Sequence, residues 1–202
     1  MDAQQTSTTW LERVENLFLR LGIKSQTMDD VARELGISKK TLYQLVENKD
    51  DLVHRVLENH IAREKIQCLD MAAHAENAID QMVFVMDSNS QEFAQMKANV
   101  LYDLQKYHRD AWIMIRKFHH DFIYKLVAAN LERGKKEGLY RTDFNIDIIT
   151  RIHLATVFSL FDEELFPSST IRRDVLFREY MKYYLHGIVT EKGHRLLQSK
   201  LK

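Results

Sequence analysis

The side chains best suited to chemistry are concentrated in one stretch, GISKKTLYQLVENKDDL, running from Gly36 to Leu52. Hydroxyls (Ser38, Thr41, Tyr43), an amide (Gln44) and ammonium groups (Lys39, Lys40, Lys49) crowd a segment too short for more than a small helix. Such groups donate hydrogen bonds and positive charge, which suits phosphate oxygens and base edges. Catalytic alternatives are thin. Nine histidines are present, but no HExxH occurs. The Glu191-x-x-His194 spacing is interrupted by Gly193, and a di-iron bundle needs two such pairs plus two more glutamates. His119 and His120 are adjacent, so they diverge on a helix and chelate poorly. No GxSxG, Walker loop or GxGxxG is present. No catalytic residue, metal site or cofactor is assigned, and the chain is read as a non-enzyme.

The elements that position these groups follow from composition. Of 202 residues, 45% are hydrophobic and 29% charged, enough to bury a core. Proline occurs once (Pro167) and glycine six times, against abundant strong helix formers, so the expected fold is all-α. The polar start MDAQQTSTTW lacks the features of a signal peptide, and no apolar run is long enough to span a bilayer. Cys68 is the lone cysteine, so no disulfide framework or thiolate metal site is expected. These features point to the cytoplasm, with no membrane partner. Net charge is zero, so any DNA binding depends on where the charges sit.

Leu11, Val14, Leu17, Phe18 and Leu21 form one helical face that Gly22 ends. Thr27 is the expected N-cap of a second helix with Asp29 and Asp30 in its first turn, where the helix dipole favours acids. Gly36 ends that helix. Ser38 caps a third, with Leu42, Leu45 and Val46 inward and Lys39, Lys40, Tyr43 and Gln44 outward. Asn48 caps a fourth. A helix, a tight turn and a short outward-basic helix make a unit able to enter a major groove. Further helices are expected at about 49–73, 75–88, 90–106, 109–134, 146–164 and 169–189.

The stretch LFLRLGIKSQTMDDVARELGISKKTLYQLVENKDDL, Leu17 to Leu52, resembles the DNA-binding domain of TetR-family transcriptional regulators. Phe18 and Gly22 match the end of that family's first helix. Thr27, Val31, Ala32 and Gly36 match the second; Ser38, Thr41, Leu42 and Tyr43 the third; Lys49 and Leu52 the fourth. Lys40 stands where the family usually has a small residue or proline, and Val46 where an aromatic is common. Asp29 and Asp30 fall where some members carry basic contacts. The resemblance implies an N-terminal three-helix helix-turn-helix DNA-binding domain (1–54) followed by a larger helical ligand-binding and dimerisation domain (55–202).

It implies roles as well. Thr27, Ser38, Thr41 and Tyr43 would touch phosphate and Lys49 the DNA backbone. Lys39, Lys40 and Gln44 are candidates for base edges; without the surrounding motif, the two lysines read as a solvated helix end. In the second half, Met82, Met86, Phe93, Met96 and Tyr102 are candidate linings of an effector pocket. Trp112, Phe118, Phe122 and Phe158 join them, with plain core packing as the competing reading. Ile152, Ala155, Phe177, Met181, Tyr184, Leu185 and Ile188 are candidates for a homodimer interface. The expected activity is that of a repressor released from a palindromic double-stranded operator by a small molecule of unknown identity. An all-helical interaction or scaffold protein with a degenerate head is the alternative, because residues 1–55 hold 8 Lys and Arg against 9 Asp and Glu. A helical metalloenzyme is a third and weaker reading.

Overall fold

The computed structural model describes residues 9–201, and every element among them is helical. In chain order these are α1 (Trp10–Leu21), α2 (Met28–Leu35), α3 (Lys39–Leu45), α4 (Lys49–His74), α5 (Ala78–Gln95) and α6 (Val100–Tyr107). There follow α7 (Arg109–Phe118), a π-helical turn (His119–Ile123), α8 (Tyr124–Lys136), α9 (Ile146–Ser159), α10 (Arg173–Ile188) and α11 (Glu191–Lys200). The all-α class expected from composition is the class adopted. By packing, the chain divides into Met1–Glu64 with Lys97–Ile115, and Lys65–Met96 with Arg116–Lys202.

In the first unit, Val14, Leu17 and Phe18 of α1 are buried together with Val31, Ala32, Leu42 and Val46. Leu45 is exposed, against expectation: α3 is so short that one apolar side of a turn suffices to seat it. Arg13 donates to the carbonyls of Glu34 and Leu35, so α1 supplies the groups that close the C-terminus of α2. Glu15 is buried beside His60 (2.8 Å) and Arg63. Burial pushes its carboxyl up, but those two partners outweigh it and hold the group below the ordinary carboxylate range.

Residues distant in sequence complete this unit. The Lys97 N–H donates to the Leu19 carbonyl (2.7 Å) and Lys97 Nζ to that of Leu21 (3.2 Å), capping α1. Gly22 leaves α1 at φ +85°, and the Asn99 side chain fills the space that a Cβ would need. At the other end of α6, His108 Nδ1 lies 2.5 Å from Asp50 Oδ1 in the first turn of α4.

The second unit is organised on α5 and α10. Ile79, Met82 and Met86 meet Phe177, Met181 and Leu185, with Val127 and Leu131 of α8 and Leu197 of α11 joining the same core. A buried polar knot runs through it. Asn130 donates to the Ala78 carbonyl (2.9 Å) and to Gln81 Oε1 (2.8 Å), while the Tyr140 hydroxyl donates to Asn130 Oδ1 (3.1 Å). Tyr140 lies flat against Gly134, so that a methyl group there would overlap its ring. Gly193 packs equally tightly against the Leu139 carbonyl.

Several helix boundaries differ from the sequence expectation. The polar run Asp87–Ser90 does not break α5, and within the helix the buried Ser90 hydroxyl is satisfied by the Met86 carbonyl (2.6 Å). The single long helix expected over 109–134 contains the π-helical turn. Gly193 does not interrupt the C-terminal segment: Thr190 caps it, accepting from Gly193 N (3.1 Å), and α11 follows.

Candidate nucleic-acid interface

The three caps that shape the reading head are where the sequence places them. Thr27 Oγ1 accepts from Asp30 N (3.2 Å), Ser38 Oγ from Thr41 N (3.0 Å) and Asn48 Oδ1 from Asp51 N (3.0 Å). Gly36 carries the chain out of α2 at φ +71°, and its N–H bonds back to the Arg33 carbonyl. With Leu42 as its fully buried anchor, α3 turns Lys39, Lys40, Thr41, Tyr43 and Gln44 to solvent. Thr27 and Ser38 are exposed as well. The structure therefore gathers these candidates on accessible surface of the first unit.

Several of them are already engaged, the Ser38 and Thr41 hydroxyls with each other at 2.8 Å. Lys39 Nζ pairs with Asp29 Oδ1 at 2.9 Å, across from α3 to α2, and that hydrogen bond raises its pKa. The Thr27 hydroxyl donates to Asp30 Oδ2 (2.6 Å), and the Thr27 N–H donates to the same oxygen (3.0 Å). Thr27 and Asp30 thus form a capping box, signalled in sequence by Thr-x-x-Asp but first read only as acids favoured by the helix dipole. Those bonds, the hydroxyl's first, hold the Asp30 carboxyl below its ordinary range. A carboxylate sits where a phosphate would otherwise approach the N-terminus of α2.

Lys49 is placed differently from its expected role. Its ammonium donates to the carbonyls of Ile23 (2.7 Å), Gln26 (2.6 Å) and Lys24 (3.3 Å). It is half-buried, and desolvation lowers its pKa. All three donors of the ammonium are committed. In this conformation Lys49 ties the loop before α2 to the start of α4 and does not reach for DNA.

Asp29→Asn is accordingly expected to strengthen DNA binding several-fold and steepen its salt dependence, since it frees Lys39 and removes a charge that repels phosphate. Anisotropy titrations of both proteins on one duplex at two salt concentrations check this; equal affinities would mean that the pair does not hold Lys39 in solution.

The effector candidates fall in both units. Met82 and Met86 are core, and Phe93 is wedged edge-on between Phe161 (4.9 Å) and Phe177 (5.0 Å). Phe118, Phe122 and Phe158 form a second group around the π-helical turn. Phe118 stacks on Phe122 at 5.5 Å, and the His119 ring lies 4.8 Å from Phe158. Met96 is half-buried in the second unit and Trp112 half-buried in the first. Tyr102 is 53% exposed on α6 in the first unit.

The dimer candidates divide between core and surface. Phe177, Met181, Tyr184, Leu185 and Ile188 face the core of their own unit. The apolar stripe on α10 records the buried side of the helix, which sequence periodicity cannot tell from an interface. Ile152 and Ala155 are exposed. Ile148 on α9 and Val175 and Tyr183 on α10 are exposed apolar side chains as well, Tyr183 at 80%.

Comparison with known proteins agrees with this geometry. Residues 11–56 match the family model described as "Bacterial regulatory proteins, tetR family". The chain is 30% identical over 141 residues to YvaF of Bacillus subtilis, an uncharacterized HTH-type transcriptional regulator; the match spans 69% of this chain and 73% of YvaF. It is 23% identical over 199 residues to KstR2 of Mycobacterium tuberculosis, an HTH-type transcriptional repressor, across 90% of this chain and 92% of KstR2. The solved structure of KstR2, a ketosteroid transcriptional regulator, superposes with a TM-score of 0.62 at 18% identity, over 94% of this chain and 98% of that one. A TetR-family regulator from Agrobacterium tumefaciens reaches 0.72 at 15% identity, over 90% and 96%. These structural likenesses establish the fold.

Proposed function

The chain belongs to the TetR family of bacterial regulatory proteins, and on that premise we propose that it is a homodimeric repressor released from a palindromic operator by a small molecule. That it is a DNA-binding transcriptional regulator follows from the family itself. The observation that carries the finer reading is the outward face of α3, with Lys40, Tyr43 and Gln44 exposed above a fully buried Leu42. Residues 1–54 read DNA in this proposal, and 55–202 regulate. Lys39, Lys40 and Gln44 address base edges. Ser38, Thr41 and Tyr43 bond phosphate oxygens and fix register. Thr27 joins them once Asp30 gives way.

Two copies place two such heads on half-sites about one helical turn apart. Ile148, Ile152 and Ala155 of α9, with Val175 and Tyr183 of α10, are the faces proposed to meet in that dimer. The effector is proposed to enter beside Phe118, Phe122 and Phe158, where the helix is locally unwound into a π turn, a feature common at functional sites. It acts by preferring the conformation whose heads are wrongly spaced. The working compartment is the cytoplasm, where the DNA lies.

The test is fluorescence anisotropy of the purified protein on DNA from upstream of its own gene, with a scrambled duplex as competitor and at two salt concentrations. Saturable binding that survives the competitor is the expected result. Binding that competitor and salt abolish equally would favour the second reading, an interaction protein whose head no longer reads sequence. Lys39, Thr27 and Lys49 are all engaged within the protein, and this is what keeps that second reading in play.

A further inference from the structure

The first unit carries an exposed cluster of lysine and tyrosine outside the helix-turn-helix. Lys24 Nζ donates to the Tyr107 hydroxyl (2.8 Å) and sits 4.6 Å from that ring's centre. Lys106 Nζ donates to the Tyr102 hydroxyl (2.6 Å) and lies 5.6 Å from the Tyr107 ring. Lys24 and Lys106 both lie on exposed surface. Lys24 bonds to Tyr107, and Lys106 to Tyr102 with Tyr107 as a second partner, while each ammonium has three donors. Among the described residues, neither lysine is in an ion pair with a carboxylate. Asp103, the acid beside Lys24, is buried, and its Oδ2 is taken by the Lys24 N–H (2.9 Å) and by Asn99 Nδ2 (3.1 Å).

The cluster adjoins the reading head directly. Lys24 lies in the loop that leads into the Thr27 cap of α2. The Lys49 ammonium ties that same loop to the start of α4. His108, next after Tyr107, is bonded to Asp50 in the first turn of α4. Loop, α2 N-terminus, α4 N-terminus and the end of α6 therefore form one continuous surface. The head proper has a net charge of −1 over residues 1–55 and holds Lys39 and Lys49 in internal contacts. Lys40 on α3, Lys24 and Lys106 are exposed, and among the described residues no carboxylate is ion-paired with any of them.

We propose that Lys24 and Lys106, held in place by Tyr107 and Tyr102, form a second phosphate-binding patch that carries the DNA footprint beyond the helix-turn-helix onto α6. The occupant is the sugar-phosphate backbone flanking the bases that α3 reads. The patch adds affinity and salt dependence without sequence preference, because point-charge contacts to phosphate carry no base information. The proposal rests on the DNA-reading function above, and its test separates the two.

The test compares wild type with Lys24→Ala/Lys106→Ala, Lys24→Arg/Lys106→Arg and Lys40→Ala. Each is titrated by anisotropy over a range of KCl concentrations on the upstream duplex and on a short random-sequence duplex. The double alanine variant is expected to flatten the slope of log Kd against log salt by roughly 0.9 for each ammonium lost. Its preference for the upstream duplex should stay at the wild-type ratio. The double arginine variant should restore the slope, since charge and not packing is at stake. A double alanine variant with an unchanged slope, beside a Lys40→Ala variant that loses affinity, would overturn the patch and leave the reading head intact. A wild type that binds neither duplex at low salt would overturn both.

Discussion

Gly134→Ala is expected to destabilise the protein by about 3 kcal/mol, the upper part of the range for overpacking a filled core. The added methyl would overlap the Tyr140 ring, and that ring has nowhere to go. Its hydroxyl is held by Asn130 and the Ala78 carbonyl, and Tyr140 is only 1% exposed. Moving the ring would also loosen the bonds from Asn130 to Gln81 and Ala78, leaving buried polar groups without partners. Urea unfolding checks the prediction: the midpoint should fall with little change in slope. Gly187→Ala is the control. It has open space around it and lies within α10, so alanine there should be neutral or stabilising by up to about 1 kcal/mol. Similar losses at both glycines would mean that something other than the Tyr140 contact sets the cost, since helix propensity favours alanine at both positions.

Lys40→Ala is expected to lower affinity for the operator about ten- to a hundredfold, the loss typical of a good base contact. It should also narrow the gap between the upstream duplex and a scrambled one. Lys40 is the exposed cation on α3 that no carboxylate holds among the described residues, whereas Lys39 is shared with Asp29. Lys39→Ala should therefore cost less than Lys40→Ala, because the lost contact was partly opposed by the internal pair. Competition anisotropy measures both affinity and discrimination. If Lys40→Ala weakens binding to both duplexes equally, Lys40 touches phosphate and the base reading passes to Gln44.

The head was legible because its signals are local. Thr27, Ser38 and Asn48 each cap a helix by reaching a backbone N–H three residues along, a distance that sequence spacing encodes. What sequence could not resolve was decided by partners far along the chain. Lys49 reads as a free cation until the carbonyls of Ile23 and Gln26 are seen around it. Phe177, Met181 and Leu185 read equally as core or interface, because periodicity gives a face without saying what covers it. The α11 helix was hidden by Gly193, whose lack of a side chain serves its close approach to Leu139. The expected boundary between helices at 75–88 and 90–106 is absent, since α5 runs unbroken from Ala78 to Gln95.

The bracing of the head by α6 has a consequence for the order in which the protein is made. Lys97 caps α1, Asn99 lies against Gly22 and His108 bonds Asp50, so the N-terminal unit is finished by residues translated well after it. A ribosome releases the helix-turn-helix first, with the end of α1 uncapped and the first turn of α4 lacking its histidine. The chain between α4 and α6 must then close as a long loop before those contacts form, which delays the last folding step of the earliest segment. The helix-turn-helix thus becomes complete only after the chain has been synthesised past His108.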